Sequence, residues 1–205
     1  MKAIMYGAGN IGRGFIGQKF YLSGYETVFI DVNMAVVDAI NQAHEYPVYV
    51  TGKHEYVEQP VKNVRAVDGR DNDAVVREIA SCDIMATALG VNVIKFVAPL
   101  IGQAIEKRFA EGGRPLNILI CENMIGSNVY LHDLVSAHIS DACRDYFENQ
   151  ICRTDGSPHA GGAGGKERIG RVRRALQQIA GGCRRFSPRR LRLPAAEGAC
   201  AFRAL

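Results

Sequence analysis

Three glycines in the spacing G-x-G-x-x-G, Gly7-Ala8-Gly9-Asn10-Ile11-Gly12, stand directly behind the short apolar run Lys2-Ala3-Ile4-Met5-Tyr6. An apolar run that breaks into glycines reads as a buried strand entering a tight turn. The apolar spacing of Ile11, Phe15, Ile16, Phe20 and Leu22 then reads as a helix, with Gly24 as its stop. Strand, glycine turn and helix in that order describe a dinucleotide-binding βαβ unit. Gly7 permits the turn, Gly9 lets backbone approach a pyrophosphate, and Gly12 lets helix pack closely on strand. The helix N-terminus offers phosphates its unpaired N–H groups and the positive end of its dipole.

The spacing also requires an acid at the end of the second strand. Asp31 closes the run Glu26-Thr-Val-Phe-Ile-Asp31, nineteen residues after Gly12. A carboxylate there accepts hydrogen bonds from the adenosine ribose hydroxyls and repels the 2′-phosphate of NADP, so NAD is the expected cofactor. Arg13 and Gly14 extend the glycine turn; the Arg13 guanidinium either faces a phosphate or is solvated. Thr87-Ala88-Leu89-Gly90 ends a further strand, on the edge where such sheets bind ligands, and is expected to pass the nicotinamide side. Cys121-Glu122-Asn123-Met124 ends another. Asn123 reads either as an amide donor to a developing substrate oxyanion or as the cap of the next helix. The expected cofactor-binding set is Ala3, Ile4, Met5, Tyr6, Gly7, Ala8, Gly9, Asn10, Ile11, Gly12, Arg13, Gly14, Asp31, Thr87 and Gly90, with Asn123 as the candidate catalytic residue and no metal ligands.

Elsewhere strands and helices alternate. Asn33 can cap a helix through Val36, Val37 and Ile40. Strands are expected at 46–51 and 61–67, a helix at 72–80, a strand at 83–88 and a helix from about Val91 to Phe109. A strand at 116–121 and one helix over 130–147 complete the series. This alternation implies an α/β fold, a Rossmann-type doubly wound and mainly parallel sheet. No apolar run approaches the length of a membrane span, the N-terminal apolar stretch is too short for a signal peptide, and the six cysteines form no C-x-x-C pair. A soluble, cytoplasmic monomer with reduced thiols is expected.

The net charge of +4 conceals a division of the chain. Residues 151–205 carry eleven Arg and one Lys against Asp155, Glu167 and Glu197, a net +9, which leaves −5 for residues 1–150. These 55 residues also hold nine of the 22 glycines and only eight Ile, Leu or Val. Composition therefore predicts an NAD-binding domain over 1–150 and an Arg/Gly/Ala-rich, disordered tail over 151–205, with one short helix near 167–180.

The run Met5-Tyr6-Gly7-Ala8-Gly9-Asn10-Ile11-Gly12-Arg13-Gly14-Phe15-Ile16-Gly17 resembles the opening of the mannitol-1-phosphate 5-dehydrogenases, a group within the polyol-specific long-chain dehydrogenases. Phe29-Ile30-Asp31-Val32-Asn33, Thr87-Ala88-Leu89-Gly90 and Pro115-Leu116-Asn117-Ile118 running into Cys121-Glu122-Asn123-Met124 extend the likeness over residues 1–150. The resemblance implies NAD-dependent interconversion of a hexitol phosphate and a ketose phosphate, mannitol 1-phosphate and fructose 6-phosphate. It also implies an oxyanion role for Asn123.

The resemblance further implies a helical C-terminal domain carrying a general-base lysine in a pattern of Lys, four residues, Asn, two residues, His. Here the tail's one lysine, Lys166, is followed at those spacings by Arg171 and Arg174. The expectation is a truncated, inactive form whose tail arose by a frameshift near 150–151. Two alternatives stand beside it: a non-catalytic NAD-binding module, and a nucleic-acid-associated protein that uses the basic tail. Without an aromatic platform or a recognisable motif beside the charge, nucleic acid is not the expected partner.

Overall fold

Successive residues of β1 (Lys2–Tyr6) enter two different cores: Ile4 and Tyr6 one, Ala3 and Met5 the other, all at most 3% exposed. A strand buried on both faces belongs in the middle of a sheet covered on both sides. In the computed structural model, which describes residues 1–51 and 56–155, β1 takes that place. On one side it pairs in parallel with β2 (Glu26–Asp31) and on the other with β6 (Ile84–Thr87). Outside these lie β5 (Val64–Asp68), β7 (Leu116–Ile120) and β8 (Ile151–Asp155). The six-stranded order is β5-β2-β1-β6-β7-β8, and every pairing is parallel. The order reverses between β1 and β6, so the crevice for a ligand opens at the carboxyl ends of those strands.

One face is covered by α3 (Asn72–Ser81), α4 (Val91–Ala110), α5 (Ser127–Ser136) and α6 (Asp141–Gln150), which bury Val75, Ile79, Ile101, Ile105, Leu131 and Phe147. The other is covered by α1 (Gln18–Leu22), α2 (Met34–Ala43) and an antiparallel hairpin of β3 (Glu45–Thr51) and β4 (Tyr56–Lys62). The fold is the doubly wound α/β sheet expected from the alternation.

Four local details differ from the sequence reading. The expected strand over 61–67 is two strands, β4 and β5, separated at Asn63, whose φ of 57° is a conformation that asparagine tolerates better than most side chains. The expected helix over 130–147 is α5 and α6. Ser140 starts the second by accepting the Cys143 N–H at 3.3 Å, while Leu131, Val135, Ile139, Cys143 and Phe147 share one core across the break, which is why the periodicity runs through it. The helix after the glycine turn contains a π-helical segment, Gly12–Gly17. Finally, β8 carries the sheet to Asp155, past the composition break at 150. Ile151 is buried there, and the Arg153 guanidinium lies over the Phe147 ring at 4.3 Å, so a basic residue of the compositional tail packs on the core. The remainder of the tail, including the helix expected near 167–180, lies outside the described residues.

Candidate functional site

The glycine turn is closed by backbone on two sides. Gly7, at φ 103°, donates its N–H to the Ile30 carbonyl at 2.9 Å, while Ala88 donates to Tyr6 at 2.9 Å. A Cβ on Gly7 would run into the Ala88 carbonyl, and one on Gly12 into the Gly7 carbonyl. Both positions are therefore fixed by close packing. Gly9 is different: it is exposed, and a Cβ there would meet nothing within 4 Å. Asn10 and Ile11, which open the helix, are exposed beside it. Ala3, Ile4 and Met5 have their side chains inside the sheet and deliver the turn rather than line it.

Asp31 reaches this turn from the end of β2. Its Oδ2 accepts the Ala8 N–H at 2.7 Å, and its Oδ1 accepts the Asn33 N–H at 2.9 Å. A carboxylate oxygen has two acceptor sites, so each retains one beyond these bonds. Arg13, half-buried, donates from its guanidinium to the Ala8 carbonyl. Ala8 is thus gripped at its N–H by an anion and at its carbonyl by a cation. Of the two readings of Arg13, the structure adds a third contact, a brace across the turn.

Gly17, not among the expected site residues, ends the π-helical segment in close packing. With i→i+5 hydrogen bonding, residues five apart come to lie over one another. A Cβ on Gly17 would stand 3.0 Å from the Gly12 carbonyl, 2.8 Å from Phe29 Cζ and 2.5 Å from the Tyr46 hydroxyl. The wider winding lets Gly12 pack on the β1 turn and Gly17 pack on β2 and the hairpin together. Tyr46 donates its hydroxyl to the Arg13 carbonyl at 2.8 Å, and burial pushes its ionisation upward. The five-residue spacing Gly12 to Gly17 is the sequence signal that identifies this packing.

On the other side of the switch point, Thr87 is fully buried at the end of β6, and its Oγ1 has no hydrogen-bond partner among the described residues. Gly90 is exposed at φ 89° and precedes α4, which has no side-chain cap. Glu122, just past the end of β7, binds the two residues ahead of the helix, with Oε1 accepting the Leu89 N–H at 3.0 Å and Oε2 the Gly90 N–H at 2.7 Å. Asn123 is exposed beside it. The residue before α5 is Gly126, again without a side-chain cap, so the capping reading of Asn123 does not hold. Burial, with the Glu122 charge beside it, pushes the Cys121 thiol up to about 11, which keeps it protonated at neutral pH.

These features fit a dinucleotide. There is open approach at Gly9, a carboxylate with spare acceptor sites at the end of β2 and, across the switch point, a buried Thr87 hydroxyl with no partner among the described residues. Among the described residues no cluster of His, Cys, Asp or Glu would hold a metal ion, and no helix is long and apolar enough to cross a membrane.

Residues 1–156 match the family described as the mannitol dehydrogenase Rossmann domain. The chain is 44% identical over 162 residues to the mannitol-1-phosphate 5-dehydrogenase of Brevibacillus brevis, covering 78% of this chain and 40% of that protein. It is 41% identical over 152 residues to the enzyme of the same name from Geobacillus thermodenitrificans, covering 74% and 39%. The chain therefore spans about 40% of the length of these curated relatives. In fold it is similar to Pseudomonas fluorescens mannitol 2-dehydrogenase, solved in ternary complex with NAD and D-mannitol. The TM-score is 0.63 at 11% identity, covering 74% of this chain and 40% of that one. The family match spans the parallel sheet and its glycine turn, and the chain belongs to the mannitol dehydrogenase family through its Rossmann domain.

Proposed function

We propose that residues 1–155 form the cofactor-binding part of an NAD-dependent oxidoreductase that interconverts mannitol 1-phosphate and fructose 6-phosphate. The observation that carries the cofactor half is Asp31, held by Ala8 and Asn33 with acceptor capacity to spare at the carboxyl end of β2. The relatives' shared name supports the substrate. NAD, when bound, supplies the hydride acceptor. The exposed amides after Gly9 take the pyrophosphate, Asp31 takes the ribose hydroxyls, and Thr87 and Gly90 border the nicotinamide side. Asn123 donates its amide to the substrate oxygen as negative charge develops there.

Alcohol oxidation also needs a group to accept the hydroxyl proton, and a positioned base contributes roughly 10²–10⁴-fold. The 205 residues contain no Lys-x₄-Asn-x₂-His. Taken alone, they are expected to bind NAD without measurable turnover of mannitol 1-phosphate. Calorimetric titration with NAD and NADP tests the proposal. NAD is expected to bind at least about tenfold tighter, the equivalent of one hydrogen bond to a charged group. Equal binding of the two cofactors, or binding of neither, would contradict it.

A further inference from the structure

Glu122 is 9% exposed, and each of its oxygens accepts one backbone N–H, from Leu89 and Gly90. Burying a carboxylate is costly unless such bonds compensate, and here both reach from the end of β7 across to the segment after β6. The other side of that segment is fixed as well. The Ala88 N–H donates to Tyr6, and the Ala88 carbonyl fills the space a Gly7 side chain would need. Residues 88–90 are therefore held between the glycine turn and one acidic side chain, on the nicotinamide side of the switch point. No side chain of α4 itself caps this end.

We propose that Glu122 is the positioning residue of the nicotinamide half of the site. It sets where Leu89 and Gly90 lie against a bound nicotinamide riboside, and leaves the adenosine half to Asp31 and the glycine turn. This assignment rests on the cofactor reading above. A glutamate side chain offers an acceptor oxygen to each of the two N–H groups; the amide of a glutamine turns an NH₂ toward one of them.

The experiment compares the unmodified 205-residue chain with Glu122→Gln, using ADP as a probe of the adenosine half and NAD as a probe of both halves. NAD affinity is expected to fall about tenfold in Glu122→Gln, while ADP affinity stays within about twofold. A merely structural role would weaken both by the same factor, and that result would overturn the assignment, as would no change in either. A second measurement needs no variant: the Leu89 and Gly90 amide resonances of the unmodified chain are expected to shift with NAD and not with ADP. Equal shifts with both nucleotides would also overturn it. An unmodified chain that binds neither nucleotide removes the cofactor reading and this assignment with it. One that binds both and gives an overturning result removes the role of Glu122 alone.

Discussion

The Asp31 carboxylate accepts the Ala8 N–H at 2.7 Å, so the acid at the end of β2 shapes the glycine turn on the end of β1 before any ligand arrives. In the proposed function Asp31 selects NAD over NADP, and the same carboxylate then also preorganises the phosphate site. Replacing Asp31 with Ala is expected to relieve the repulsion of the 2′-phosphate and to loosen the turn together. NAD affinity should fall by about 1.5–3 kcal/mol, the range for a hydrogen bond to a charged group, and NADP should not rise to the level that NAD loses. Calorimetry with both cofactors checks this. An Asp31→Ala chain that binds NADP as tightly as the unmodified chain binds NAD would mean that Asp31 acts by repulsion alone.

Gly9 and Gly17 lie eight residues apart in one motif and should respond in opposite ways to alanine. A methyl group at Gly17 meets Phe29 and the Tyr46 hydroxyl, an overpacking expected to cost about 1–3 kcal/mol in thermal unfolding. At Gly9 a methyl group meets nothing in the protein, so stability should change by less than about 0.5 kcal/mol. NAD affinity should nonetheless drop, because backbone approach to the pyrophosphate is blocked.

Thr27 and Thr87 each bury a hydroxyl with no partner among the described residues. Valine has nearly the same shape without the unsatisfied group, so each Thr→Val substitution is expected to raise stability by about 1 kcal/mol. Only Thr87, at the ligand edge, should also weaken NAD binding. If Thr27→Val weakens it equally, the Thr87 hydroxyl has no specific part in the site.

Glu78 gives the fold an acid-sensitive joint. Burial acts to raise its ionisation. The Arg65 fork at 2.7 and 2.8 Å and the Lys2 ammonium at 2.7 Å outweigh that effect and hold it at about 2. A carboxylate depressed below its unfolded value contributes stability that is present above about pH 4.5 and is lost as pH falls toward 2. Glu78→Gln should lower stability by about 1–2 kcal/mol at neutral pH, with the effect of the shift reduced by solvent screening at this partly exposed site. Thermal unfolding across pH 7 to 2 checks it: the gap between the two proteins should narrow through that window. A gap that stays constant would show that the glutamine changes packing rather than charge.

What the sequence determined by itself was everything carried by local pattern. The run Lys2–Tyr6, the glycines at 7, 9 and 12, and Asp31 specify strand, turn, helix and acid, because backbone sterics and side-chain period act over a few residues. Alternating strands and helices then leave few topologies, and the parallel sheet follows. The tertiary structure decided what depends on partners distant in the chain. Strand β8, Ile-Cys-Arg-Thr-Asp, has no apolar run to declare it in sequence, and pairs in parallel with the edge of β7 while Phe147 offers a surface for Arg153. Within the π-helical segment, Gly17 leaves no room for a side chain because Phe29 and Tyr46, from β2 and the hairpin, approach it closely. Glu122 and Asn123 are adjacent in sequence, yet one turns onto Leu89 and Gly90 while the other stays exposed. Which of two polar neighbours goes inward is settled by which unpaired backbone N–H groups the fold brings within reach, and those lie 32 and 33 residues away along the chain.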